Sequence, residues 1–211
     1  MGWVTKIIIL INVAVFIAQQ IFGLKNIDVV SCLMPVMQGQ FYRIITHAFA
    51  HINFMHIAFN MFWVILLSPL LEKHHRSINY AIIVAMLVNI IGCTELLINW
   101  LITLIPNGIY SSVGSFFGQS QSSSGAFYYT CPLGHSGIVY GYITLWAFLG
   151  DKYQSFFGFQ VRRIFVPFAY LIVNTIVLPQ ASFIGHFSGI LCALVFRFVC
   201  FDTSENLSSP C

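Results

Sequence analysis

Residues 131–152 read Cys131-Pro-Leu-Gly134-His-Ser136-Gly137-Ile-Val-Tyr140-Gly141-Tyr-Ile-Thr-Leu-Trp-Ala-Phe-Leu-Gly150-Asp151-Lys152. An apolar run from Ser136 to Gly150 is bounded by charge at one end and by Pro, Gly, His and Ser at the other. Fifteen helical residues rise about 22 Å, short of the roughly 30 Å hydrocarbon core of a bilayer. If Asp151 and Lys152 anchor the inner end at the surface, Ser136 lies submerged at a helix N-terminus, where unpaired backbone N–H groups point toward an incoming oxyanion. The non-helical approach through Pro132 and Gly134 is tolerated at that depth only if it is buried in protein or lines a wet cavity.

The rest of the chain supports a bilayer reading. Of 211 residues, 58% are hydrophobic and only 7% are charged, against about 25% charged in soluble domains. A water-soluble enzyme, a disordered chain and a nucleic-acid binder are all disfavoured, since a net charge of +3 is no footprint for phosphate. Further apolar runs extend from Val4 to Phe22, His56 to Leu71, Asn79 to Ile105, Ile164 to Leu178 and Phe183 to Phe201. The first lacks a small-residue cleavage site near Gly23 and reads as a retained span rather than a signal peptide.

Six spans make one membrane domain, 1–201, followed by a short tail, 202–211. With the N-terminus cytoplasmic, Lys6, Lys73, Arg76, Lys152, Arg162, Arg163 and Arg197 fall inside, and only Lys25 and Arg43 fall outside. By the positive-inside bias both termini are then cytoplasmic, which makes the Asn206-Leu207-Ser208 sequon a false positive. Between Asn107 and Leu133 lies an uncharged connection rich in Ser, Gly and Gln, read as an outer loop. Six cysteines without metal-finger or CxxC spacing read as apolar fillers rather than a disulfide framework. Cys32 and Cys131 nevertheless both fall on outer segments, where their sulfurs are able to meet.

Polar groups inside spans are costly and are candidates for function. They gather at Arg43–Asn60, at Gly134–Ser136 and at Gly185–Gly189, all toward the outer half. Gly137 and Gly141, like Gly185, Gly189 and Ala193, recur at a spacing that lets backbones approach. Packing those faces brings Ser136 near His186. A neutral imidazole can take a serine's proton, and His56 and Asn60, four apart on one helix face, can donate to a tetrahedral oxyanion. Glu72 falls at a helix end and Glu95 in mid-span without a motif, so the residues suggest a Ser/His dyad rather than a triad. The histidines at 47, 51, 56 and 135 invite a metal reading, but no HExxH or completing Asp or Cys accompanies them. No metal or cofactor is implied.

Taken together, Gly134-His-Ser136-Gly137-Ile-Val-Tyr140, His47-x3-His51-x4-His56-x3-Asn60 and His186-x2-Gly189 resemble the rhomboid intramembrane serine proteases over about Phe41 to Ala193. The resemblance implies an all-α, six-helix bundle in which Ser136 is the nucleophile and His186 the base. It makes His56 and Asn60 oxyanion donors and Tyr140 the ring packed on His186. His47 and His51 would be mainly structural, with Arg43 the first-loop arginine and Glu72 the glutamate ending helix two. His135, the variable position, is expected to face the cavity without a role. Departures are Tyr42, where the family often has Trp, Ser68 and Ala193 in place of Gly, and the long Ser-rich loop. The implied partners are single-span membrane protein substrates and lipid, in a plasma, secretory-pathway or bacterial inner membrane. The alternative is an inactive rhomboid-like protein that binds membrane clients.

Overall fold

The computed structural model describes residues 1–25, 28–104, 131–149, 151–156, 158–177 and 181–200. Most of the Ser-rich connection and all of the 202–211 tail lie outside them. Among the described residues the chain forms eight helices and one hairpin: α1 (Trp3–Phe22), α2 (Leu33–Met37), α3 (Arg43–Thr46), α4 (Phe54–His75), α5 (Ser77–Thr103), α6 (Ser136–Ala147), β1 (Tyr153–Phe156), β2 (Phe159–Arg162), α7 (Val166–Val177) and α8 (Phe183–Cys200). Within α1, α4 and α5, the segments Trp3–Phe22, Phe54–His75 and Ser77–Leu101 are long and apolar enough to cross a membrane; α6, α7 and α8 are shorter.

The centre of the bundle is α6. Ten of its twelve residues are buried, the pattern of a helix enclosed on all sides. Around it pack Val64, Leu67 and Leu71 of α4, Leu87 and Ile91 of α5, and Ala193 and Phe196 of α8. Outward-facing positions are equally apolar: Ile7, Leu10 and Ile17 on α1, and Phe59, Phe62 and Ile65 on α4, are all exposed. A continuous apolar exterior of this kind suits lipid rather than water.

Close packing of α6 on α8 depends on missing side chains. A Cβ at Gly189 would overlap the carbonyl oxygen of Gly137, and one at Gly137 would stand 3.0 Å from the carbonyl oxygen of Gly185. The small-residue stripes on the two helices therefore face each other as their spacing indicates.

Polar ties set the remaining helices. Glu72, near the end of α4, accepts the N–H groups of Val4 and Thr5 at 3.0 Å each, the Thr5 hydroxyl at 2.7 Å and the Ser77 hydroxyl at 2.8 Å. It thus caps the first turn of α1, whose own N-cap residue, Gly2, has no side chain to do so. Ser68 joins this cluster through Thr5 and Tyr80. At the other end of α1, Gln19 accepts the His51 N–H at 3.0 Å. The start of α1 thus lies against the end of α4, and its end lies close to the segment that enters α4.

Two features differ from the sequence reading. Cys32 and Cys131 are joined by a disulfide, so these two are not fillers: the bond ties the start of α2 to the segment entering α6. The connection after α6 is a β-hairpin, pairing Tyr153 with Arg162 and Phe156 with Phe159, with Gly158 at φ +85° supplying the turn. Beneath it, Arg163 donates to the carbonyls of Trp146 and Leu149 and lies 3.8 Å over the Trp146 ring. A cation there satisfies the last carbonyls of α6 and complements its dipole.

Candidate active site

The segment Gly134-His135-Ser136 enters α6 with Gly134 at φ +111°, a conformation that favours glycine. A Cβ at Gly134 would also stand 2.6–2.7 Å from the His56 ring, so the first glycine of the motif is required twice over. The Gly134 N–H donates to the His47 carbonyl at 2.8 Å, and the neighbouring Pro132 carbonyl accepts from Ser31 at 3.3 Å. These bonds fix the approach to Ser136 against the segment that runs from Ser31 to His47.

His56 and Asn60 stand on the first turns of α4. Asn53 is the N-cap and accepts the His56 N–H at 2.9 Å, which sets where the helix begins. The His56 ring accepts the Ile52 N–H at Nδ1 over 3.5 Å, leaving the proton of the neutral ring on Nε2. Asn60 is 4% exposed, and its Nδ2 has no hydrogen-bond partner among the described residues. Buried amide donors are nearly always paired, and because this residue also lines a cavity, its amide is available to a bound group.

His186 lies in the first turns of α8. The Ser182 hydroxyl accepts from Gly185, and the Ser182 carbonyl accepts from His186, at 3.0 and 3.1 Å. The His186 ring stacks on Tyr140 with centroids 4.4 Å apart and planes 24° from parallel. Tyr140 is held in turn by Asn174, whose Nδ2 donates to its hydroxyl at 3.1 Å, and it donates to the Tyr170 carbonyl at 3.4 Å.

Ser136, His186, His56, Asn60 and Tyr140 all line one cavity of about 460 Å³, with Trp63 and Phe59 of α4 and Tyr170, Val173, Asn174 and Val177 of α7. Ser136 and His186 share it without a direct hydrogen bond, as is common for dyads before substrate tightens them. All four residues expected to carry chemistry are therefore brought together.

The other histidines behave differently. His51 is buried and lies edge-on to His56, centroids 5.1 Å apart; burial, then the nearby His56 and His135, push it down to about 3, so it packs as a neutral ring. His135 does not face the cavity. It is fully buried on the opposite side, its Nδ1 3.2 Å from the Ala48 carbonyl oxygen and its ring against Phe49 and Tyr142. The helical turn that aims Ser136 into the cavity aims its predecessor away. His47 turns toward Glu95, 3.4 Å from Nε2 to Oε2. The four rings do not converge, and among the described residues no group of three potential ligands could hold a metal. Arg43 is buried and pins the first segment through Gln40 at 2.6 Å and the Val30 carbonyl at 3.1 Å.

Sequence reasoning passed over Glu95, Trp63, Tyr170 and Asn174. For Glu95 the signal was present, as an acidic residue in mid-span. The others have no spacing that distinguishes them from ordinary interfacial residues.

A helical bundle with a serine, a stacked histidine and two amide or imidazole donors around one cavity defines the class. The family model for the rhomboid domain matches residues 38–203, and the chain belongs to the rhomboid family. Among its relatives are rhomboid-like protein 14, mitochondrial, of Arabidopsis thaliana, 27% identical over 73% of this chain and 42% of that protein, and rhomboid-like protein 15 of the same plant, 26% identical over 81% and 40%. The chain thus spans about two fifths of the length of these curated relatives.

Proposed function

We propose that this protein is an intramembrane serine endopeptidase that cuts single-span membrane proteins in or near the outer half of the bilayer. In this reading α1, α4, α5, α6, α7 and α8 each cross, with both termini cytoplasmic. The observation that carries it is the convergence of Ser136, His186, His56 and Asn60 on one cavity, with the Asn60 amide unpartnered.

The Ser136 hydroxyl adds to the scissile carbonyl carbon while its proton passes to His186. The carbonyl oxygen becomes an oxyanion that accepts from Asn60 Nδ2, His56 Nε2 and the Ser136 N–H. Collapse breaks the C–N bond, His186 returns the proton to the leaving amine, and an acyl-serine remains. A water, deprotonated by His186, then hydrolyses it and frees Ser136. The Tyr140 stack holds the imidazole in place throughout. A transmembrane helix shields its peptide bonds with its own hydrogen bonds, so the substrate must unwind locally, and weak helix formers such as Gly near the cut favour this. The apolar walls of α4 and α7 receive its side chains.

The test is reconstitution of the wild type, Ser136→Ala and His186→Ala with a model single-span substrate and a fluorophosphonate probe. Cleavage and labelling by the wild type alone support the proposal. Cleavage that survives Ser136→Ala, or a folded wild type inert toward a varied panel, overturns it and favours a client-binding rhomboid-like protein.

A further inference from the structure

Glu95 is an acidic side chain in the middle of the longest helix, 2% exposed. Its ionic neighbour among the described residues is His47, itself 3% exposed, with Nε2 3.4 Å from Oε2. The other His47 nitrogen, Nδ1, lies 3.0 Å from the Arg43 carbonyl oxygen. The His47 ring thus bridges a backbone carbonyl of its own segment and the buried carboxyl group of α5. A carboxyl group at this depth needs such a partner.

The helix is shaped for the contact. Gly92, three residues before Glu95 and on the same face, stands so close to α3 that a Cβ there would lie 2.6 Å from the Ile44 carbonyl oxygen and 3.1 Å from the His47 ring. The second carboxylate oxygen, Oε1, points the other way, to the junction of α6 and α8. A Cβ at Gly185 would lie 2.8 Å from it, and one at Gly137 would lie 3.5 Å from it. Gly137 follows Ser136 and Gly185 precedes His186. His47 also holds the Gly134 N–H through its backbone carbonyl. One carboxylate thus touches the first outer segment and the helix starts that bear both members of the dyad.

We propose that Glu95 is a positioning residue: paired with His47, it locks the first outer segment to the α6–α8 junction and so fixes Ser136 and His186 relative to each other. This rests on the peptidase reading for its readout.

The experiment compares wild type, Glu95→Ala, Glu95→Gln, His47→Gln and the double variant Glu95→Gln/His47→Gln in vesicles. It measures kcat and KM on a single-span substrate, the rate of fluorophosphonate labelling of Ser136, and the folded fraction by circular dichroism. Since misplacing a reacting group by about 1 Å can cost about a hundredfold, Glu95→Ala is expected to lower kcat and labelling together by about tenfold or more. KM should stay within about twofold, because the contact is remote from the cavity wall. The double variant should be no worse than the worse single, as both remove one contact. A folded Glu95→Ala that labels at the wild-type rate, or single effects that simply multiply in the double, overturns the proposal. If Glu95→Ala does not fold, Glu95→Gln decides: it keeps the volume but not the charge, and wild-type labelling by it overturns the lock. A folded wild type that neither labels nor cuts overturns the peptidase reading and this proposal with it, an outcome distinct from an active wild type with unaffected variants.

Discussion

On the proposed reading, Asn60 matters more to the reaction than to the fold. Its Nδ2 makes no hydrogen bond among the described residues, so Asn60→Ala removes no hydrogen bond of that atom there. Loss of one oxyanion donor costs about 2.7–4 kcal/mol of transition-state stabilisation. Asn60→Ala should therefore lower kcat by about a hundredfold or more while the thermal midpoint in detergent stays near that of the wild type; comparing the two on one preparation checks this. Gly134 offers the converse. Gly134→Ala demands a left-handed conformation from a residue with a Cβ and drives that Cβ into the His56 ring, so both stability and activity should fall, the former by about 1–3 kcal/mol. His56 and Asn60 were legible because their four-residue spacing on a helix face stands together with the Gly134–Tyr140 and His186-x2-Gly189 motifs; alone it is a weak signal. His135 was misplaced because a motif gives residue types and order, whereas the direction of a side chain at a helix N-cap depends on the turn leading into it.

At the scale of elements, two helix ends borrow caps from neighbouring segments. Glu72 caps α1 from α4, and Arg163 caps α6 from the hairpin side. Hydrogen bonds to charged groups contribute about 1.5–3 kcal/mol each. Glu72→Ala, which frees two backbone N–H groups and two hydroxyls at once, should cost about 3 kcal/mol or more, read as a lower denaturation midpoint in micelles, and should loosen α1 first in hydrogen exchange. Gly189→Ala, which forces α6 and α8 apart at their crossing, should cost about 2 kcal/mol or more and lower serine labelling too. The apolar runs located the helices to within a few residues, since hydropathy reports length directly. The hairpin at Tyr153–Arg162 escaped because Gln154, Ser155 and Gln160 in short strands look like any polar connection.

For the whole molecule, the disulfide closes a chain segment with a sequence separation of 99. A loop of about 100 residues corresponds to an entropic stabilisation of about 4.7 kcal/mol at most. Cys32→Ser/Cys131→Ser, or treatment with reductant, should lower the unfolding midpoint measurably. Because Pro132 and Gly134 follow at once, it should also slow labelling of Ser136. The sequence placed both cysteines on outer segments but gave no measure of their separation, which depends on how α2 folds back over the bundle. The setting of Glu95, though not its presence in mid-span, was hidden for the same reason: its partner His47 and the α6–α8 junction come from three distant segments that meet only when the bundle closes.

The same bond also counts crossings. Two sulfurs can join only if they share one face of the bilayer, so the chain between Cys32 and Cys131 must traverse it an even number of times. Among the described residues of that interval, the helices long and apolar enough to do so are α4 and α5, and if both cross they form an out-and-back pair irrespective of where any lysine or arginine lies. Mobility on a gel without reductant therefore reports topology: a variant in which either helix fails to insert strands the two cysteines on opposite faces and leaves both thiols free.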